Sequence, residues 1–423
     1  MRTRSLADPV IGLVLAIGLV LAITPAVAAA PSHAWTRQFG SAGYDEADAS
    51  AVDATGNIYV AGYTDGTLPG QIARGKGDAY LRKYRSSGTV AWTRQFGTTE
   101  RDTASSIAID RAGNVYVAGF TKGALRGRTN RGLEDAYVRK YRPNGTVAWT
   151  RQFGTSSDDG AAAIAVDGAN RIYVGGFTSG TFPGQKNRGN SDAFVRKLRP
   201  NGQGVWIRQF GTSGADSVMA MTGNASGGVY VGGYTFGTFP GQKNRGDSDA
   251  FVRKLRPDGR GVWTRQFGTA GPDYALAIAT DAKGRIYVGG EAYGALPGKT
   301  AKGGYDAYVR KYRPDGRGVW TRQFGTASRD GVVAMTSDPA GRIYVAGRIG
   351  RTNGLYDAFA RKIRPSSSVV WTRRIGTKAA HEVGAGISVD RRGNVFVVGS
   401  TGGTLVGQQS KGDQDAFIRK YRR

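Results

Sequence analysis

Trp263–Val319 reads WTRQFGTAGPDYALAIATDAKGRIYVGGEAYGALPGKTAKGGYDAYVRKYRPDGRGV, and the same unit recurs along the whole chain. Trp35, Trp92, Trp149, Trp206, Trp263, Trp320 and Trp371 each open a copy, 57 residues apart five times and then 51, and they are the only tryptophans. A fixed period of this size marks a repeat architecture, so the fold depends on what one unit forms and what seven can bury together.

Four segments of the unit carry strand patterning. Ala275–Thr280 (ALAIAT, strand A) is small and β-branched, and Arg285–Gly290 (RIYVGG, strand B) is apolar toward both faces. Asp306–Arg313 (DAYVRKYR, strand C) and Val319–Phe324 (VWTRQF, strand D) follow. The tight-turn signals Asp281–Gly284 and Pro314–Gly316 make A-B and C-D antiparallel hairpins. The B-to-C connection is longer and contains Leu296, Pro297 and Gly298.

A four-stranded antiparallel sheet that is apolar on both faces must be covered on both. Seven such sheets arranged face to face around an axis cover one another, which predicts an all-β, seven-bladed propeller. Strand A is rich in Ala and Ser, as at Ala161–Ala163 and Ala104–Ser106, and small side chains suit the crowded position next to the axis. The first repeat fragment, Trp35–Phe39, is a D strand without A, B or C before it, and the last, Asp415–Arg422, is a C strand without a D after it. The two are predicted to share one sheet and close the ring, removing both exposed edges. The blades then fall near 47–96, 104–153, 161–210, 218–267, 275–324, 332–375, and 383–422 plus 34–39, all within one domain spanning 31–423.

Residues 1–30 stand apart. Arg2 and Arg4 precede an apolar run from Val10 to Ala22, and Pro25 with the small-residue tail Ala26–Ala30 offers cleavage sites, the pattern of a secretory signal peptide. An uncleaved membrane anchor is the alternative. The chain has no cysteine, which excludes disulfides, thiolate metal sites and cysteine nucleophiles. Its net charge is +27, which favours anionic partners and opposes self-association, so a monomer is expected. With the leader removed, no transmembrane span is expected.

Asp102–Asp110, Gly113–Gly119, Asp192–Lys197 and Trp92–Gly97 carry the pattern Asp-x-Ala-x-x-Ile-Ala-x-Asp, Gly-Asn-x-Tyr-Val-x-Gly, Asp-Ala-Phe-Val-x-Lys and Trp-Thr-Arg-x-Phe-Gly. This set resembles the SBBP repeat, a bacterial seven-bladed β-propeller family. The resemblance covers the whole chain after the leader and implies an exported or surface-associated propeller of mostly unassigned activity. Arg at two strand C positions, as at Arg196 and Arg199, departs from the family pattern.

Charges repeated in every copy are expected to be structural. Asp before strands and at turns accepts local backbone N–H bonds. The repeated Arg stems are expected over aromatic rings of the next sheet, with their heads on carboxylates. A weaker reading has the acids ahead of strand A (Asp45, Asp102, Asp159, Asp216, Asp273, Asp330, Glu382) ringing one channel mouth around a hard cation.

Most of the excess charge lies outside the repeated positions. The BC loops hold fifteen basic residues against five acidic, and Arg74, Lys76, Arg126, Arg128, Lys186, Arg188, Lys243, Arg245, Lys299 and Lys302 are the candidate ligand-binding set. Phe182, Phe236 and Phe239 could stack on bases, but packing beneath the loops is the stronger expectation. The sixth copy lacks most of its BC loop between Gly347 and Asp357, and the seventh carries Arg374, His381 and Glu382 at altered positions. Arg348, Arg351, Arg374, His381 and Glu382 therefore form a candidate asymmetric pocket.

His33 and His381 are the only histidines, which leaves no Ser-His-Asp triad and no multi-histidine metal site. No catalytic residue, metal or cofactor is assigned. The leading expectation is an exported, non-catalytic binding or scaffold propeller, secreted, periplasmic or on the bacterial cell surface. Its basic loops would engage lipid headgroups, lipopolysaccharide or acidic polysaccharide, with nucleic acid second. The alternatives are a polysaccharide hydrolase or lyase using carboxylates at the channel mouth, and a structural surface protein without ligand.

Overall fold

The computed structural model describes residues 30–223 and 227–423; the predicted leader, apart from Ala30, lies outside them. Twenty-eight strands, grouped in seven four-stranded antiparallel sheets, make up the regular structure of the described residues. The first blade joins β2 (Asp45–Val52), β3 (Ile58–Thr64), β4 (Asp78–Tyr84) and β5 (Val90–Phe96) in that order. β6–β9 (106–153), β10–β13 (159–210), β14–β17 (216–267), β18–β21 (273–324) and β22–β25 (331–375) repeat it. The seventh sheet has the order β1-β28-β27-β26, from β1 (Ser32–Phe39), β28 (Asp415–Arg422), β27 (Val395–Thr401) and β26 (Glu382–Val389). β1 runs antiparallel to β28, with Trp35 opposite Lys420 and Phe39 opposite Ala416, so the two repeat fragments complete one blade as predicted.

Turn chemistry sets each hairpin. At the first A-B turn, Asp53 Oδ1 accepts the backbone N–H groups of Thr55 and Asn57, both at 2.9 Å, and Gly56 takes φ +85°. An L side chain is disfavoured at that angle, so Gly56 suits the turn.

Cohesion comes from between blades. Every residue of β3, IYVAGYT, is buried, because both faces of its sheet meet another sheet. One apolar cluster joins Tyr59, Leu81 and Phe96 of the first blade to Val115, Val117 and Tyr137 of the second. Fully burying one such side chain contributes roughly 1.5–3 kcal/mol.

The repeated Trp and Arg complete the interfaces. The indole N–H of Trp149 donates to the Pro200 carbonyl in the C-D turn of the next blade at 3.1 Å, and Trp206, Trp263 and Trp320 do the same to Pro257, Pro314 and Pro365. Arg82 lies over Phe39 of the preceding blade at 4.1 Å, Arg139 over Phe96 at 4.2 Å and Arg361 over Phe324 at 4.0 Å. The strand D arginines differ from expectation: their heads meet backbone carbonyls rather than carboxylates. Arg37, Arg94, Arg151 and Arg265 donate from Nε to Gly88, Gly145, Gly202 and Gly316. The reason is geometric, since the next blade's C-D turn presents its carbonyls at that position.

Candidate functional site

The A strands line the axis and enclose a channel of about 490 Å³. Six of them share one irregularity. Their register against strand B slips at the third residue after the initial acid, between Ala47 and Ala49 in the first blade and at the same place in blades three to seven. A β-bulge leaves one residue unpaired and re-aims its side chain. The unpaired residues are Asp48, Ala162, Met219, Leu276, Val333 and Ala385, with Ser105 at the matching place in the second blade, and all seven line the channel.

The bulge explains a repeated glycine. A Cβ on Gly62 would stand 1.9 Å from the Glu46 carbonyl oxygen, and on Gly119, Gly176 and Gly233 equally close to Thr103, Gly160 and Ser217. Only glycine lets strand B pass the bulged backbone. The same carbonyls accept tyrosine hydroxyls from strand C: Tyr80 to Glu46 at 2.8 Å and Tyr137 to Thr103 at 2.7 Å.

The scaffold around the channel is repeated; its lining is not. Glu46, Asp48, Ser50, Thr103, Ser105 and Ser106 make a polar wall on the first two blades, and Met219, Met221, Leu276, Val333 and Met335 an apolar wall opposite. Burial, then the nearby Glu46 carboxylate, pushes the Asp48 carboxyl up to about 8, against a smaller opposing pull from Arg101. Sequence comparison among the copies passed over Asp48 because it tracked residues that recur. The signal was the opposite one: one of the two positions of strand A that vary most among the copies.

The acids ahead of strand A do not ring the channel mouth. Asp45, Asp102, Asp159, Asp216, Asp273, Asp330 and Glu382 are each 0% exposed. Asp102 Oδ2 accepts the Thr98 backbone N–H at 2.6 Å and its hydroxyl at 3.0 Å, which turns the carboxylate into the D-to-A loop. Its partner is Asp78 of strand C, whose Oδ2 accepts Gln95 Nε2 at 2.8 Å and the Arg74 backbone N–H at 2.9 Å. Asp78 Oδ1 and Asp102 Oδ2 both lie within 2.5 Å of where a Cβ on Gly97 would stand. Burial first, with Asp78 adding, pushes the Asp102 carboxyl up to about 6; Asp273, beside Asp249, is pushed to about 7.

Arg74, Lys76, Arg126, Arg128, Lys186, Arg188, Lys243, Arg245, Lys299 and Lys302 are all exposed. Bridges such as Gly77 to Arg101 and Ser191 to Ala215 put the BC loops on the same edge as the D-to-A loops. Two of the arginines also pin their own loops: Arg188 Nη1 donates to the Gln209 carbonyl at 3.1 Å and Arg245 Nη1 to the Gln266 carbonyl at 3.0 Å. Phe182 and Phe239 pack beneath their loops at 2% exposure, whereas Phe236 is 47% exposed.

The candidate pocket at the last two blades is filled by its own side chains. Arg351 bridges Asp357 and Glu382, and Arg374 Nη1 reaches Asp357 Oδ2 at 3.4 Å. His381 is exposed against the Tyr356 ring at 4.8 Å. Arg348 is not part of this group; it meets Glu291 at 2.7 Å, as Arg329 does. Among the described residues the shortened loop supplies no backbone N–H to Asp357, and Arg374 stands where other blades have Gln, so guanidinium groups take over the donor role.

Seven antiparallel four-stranded blades around an open axis define the class: a seven-bladed β-propeller. Residues 34–69, 91–125, 148–183, 262–296 and 370–405 of it match the family model of the SBBP β-propeller repeat. The chain is 25% identical over 419 residues to the regulatory protein FlaEY of Caulobacter vibrioides, covering 85% of this chain and 43% of that one. It is 24% identical over 243 residues to the WD repeat-containing protein L264 of Acanthamoeba polyphaga mimivirus, covering 48% and 17%. It thus spans less than half the length of either curated relative. The Neurospora crassa Pan2 WD40 domain superposes with a TM-score of 0.51 at 12% identity, covering 92% of this chain and 97% of that domain, a likeness of fold alone.

Proposed function

We propose that this protein is a non-catalytic binding propeller whose BC-loop edge engages an anionic polymer or surface: lipid headgroups, lipopolysaccharide or acidic polysaccharide. One observation carries the reading. The repeated acids of that edge, from Asp45 and Asp78 to Glu382 and Asp415, are buried, while the basic loop residues are exposed. The outer surface therefore presents more positive charge than the composition implies, and a basic field concentrates polyanions. An exported, monomeric protein of the bacterial envelope is the setting proposed, on the strength of the N-terminal leader and the absence of cysteine.

The test is binding of labelled dextran sulfate and of neutral dextran at about 50 and 200 mM salt. Dextran sulfate should bind in a salt-dependent manner, and the triple variant Lys186→Glu, Lys243→Glu, Lys299→Glu should lose that binding without loss of fold. These lysines are chosen because Arg188 and Arg245 also hold their loops. Equal retention of both dextrans, or salt-independent binding, would overturn the reading.

A further inference from the structure

We propose that the central channel is a binding site for a small organic cation with an apolar body, an alkylammonium in kind. Asp48 and Glu46 would receive the ammonium, and Met219, Leu276 and Val333 would hold the chain. The site lies on the axis and owes nothing to the loop edge, so it stands or falls separately from the polyanion reading.

Three observations lead there. The volume, about 490 Å³, is that of a small-molecule site. The bulge in six blades, with the matching place in the second, puts seven side chains of six kinds against the channel, and strand B glycines and strand C tyrosines hold that backbone in place. Those side chains sort by chemistry into opposite walls, one acidic and hydroxylic, one of Met, Leu and Val. A ligand with one charged end and one apolar end matches such a division, and Met adapts to irregular apolar shapes.

The acid wall has unused capacity. Among the described residues no hydrogen bond or ion pair reaches the Asp48 carboxylate. Glu46 Oε1 accepts the Tyr44 hydroxyl at 2.8 Å and the Gln414 amide at 3.4 Å. The other charged or titratable groups facing Asp48 are Tyr44, whose hydroxyl is committed to the Glu46 carboxylate, Arg101, stacked on Tyr63 at 4.9 Å, and Tyr80, whose hydroxyl is committed to the Glu46 carbonyl. The basic exterior opposes entry of a cation, but its field decays over about 8 Å at physiological salt. Among the residues lining the channel, Glu46 and Asp48 are the acidic ones and none is basic.

A proton count follows from the site. The Asp48 carboxyl, half-exposed to the channel by its surface area, is raised to about 8 by the surrounding protein and by Glu46, so at neutral pH it is mostly protonated and an arriving ammonium displaces that proton to solvent. Binding should therefore release a proton near pH 7 and tighten as the pH approaches 9.

The experiment is calorimetric titration of the full chain with hexylammonium, hexanol, methylammonium and calcium, each in two buffers of different ionisation enthalpy. Hexylammonium should bind one to one with proton release, and more tightly than either hexanol or methylammonium. Asp48→Asn should weaken hexylammonium at least about tenfold and abolish the proton release. Leu276→Asn should weaken hexylammonium while leaving methylammonium unchanged, which separates loss of the apolar wall from loss of fold. Hexanol binding as tightly as hexylammonium, an unaffected Asp48→Asn variant, or displacement of the amine by equimolar calcium would each overturn the proposal.

Discussion

Gln38 Nε2 donates to Asp415 Oδ2 at 2.7 Å across a sequence separation of 377 residues. Gln95 makes the same bond to Asp78 at 2.8 Å across 17. The seam of the ring thus uses the contact that every ordinary blade makes internally, which marks β1 as a true fourth strand. Gln38 also accepts the Leu405 backbone N–H at 2.9 Å, so its loss strands buried groups on both sides. Gln38→Ala should cost about 2–3 kcal/mol, close to Gln95→Ala, by chemical denaturation. Deleting 30–39 should cost far more, and a peptide of those residues added in trans should restore part of it.

Asp102 and Asp273 give stability a pH dependence. Their folded values, about 6 and about 7, lie above the ordinary 3.8 because burial favours the neutral acid. The folded state therefore binds these protons more tightly than the unfolded chain. Their contribution is complete below about pH 4 and is lost as pH rises through 6 to 7. Wild type should lose stability relative to the double variant Asp102→Asn, Asp273→Asn across that window in melting curves. A constant difference would count against the burial account.

Glycines of two kinds should respond differently to alanine. A Cβ on Gly176 would stand 1.8 Å from the Gly160 carbonyl oxygen, and neither backbone can move without opening the bulge. Gly184 has φ +71° with nothing within 4 Å of its Cβ. Gly176→Ala should cost more than about 3 kcal/mol or prevent folding, and Gly184→Ala only about 1 kcal/mol. Denaturation midpoints of the two variants, read against wild type, check the contrast.

Arg351 substitutes for a missing loop. It joins Asp357 to Glu382, whose side chain is 0% exposed, and removing it leaves that acid with less compensation. Arg351→Ala should cost about 3 kcal/mol, and Arg351→Lys should recover only part, because a point charge cannot bridge both carboxylates as a planar fork does. The two melting temperatures measure this directly.

Strand existence, blade count and ring closure were legible because each depends on patterns that local physics writes into every copy. IYVAG alternates for a two-faced strand, PDG turns, and unmatched D and C fragments complete each other. The exposed loop bases were legible too, since charged residues between glycines stay in water. The buried pairing of Asp78 with Asp102 was not, because a solvated acid and a buried, hydrogen-bonded one look alike in sequence. Asp48 was hidden for a different reason: a bulge is one residue of register, and register appears only once two strands pair.

By itself the amino-acid order determined a ring of seven similar sheets, since apolar faces recurring every 57 residues, and once after 51, can be covered only by one another. Only the tertiary structure decided which side chains reach the axis and which acids leave the surface. Both depend on where one strand lies against its neighbour to within a single residue, and that is settled by packing between segments far apart in the chain.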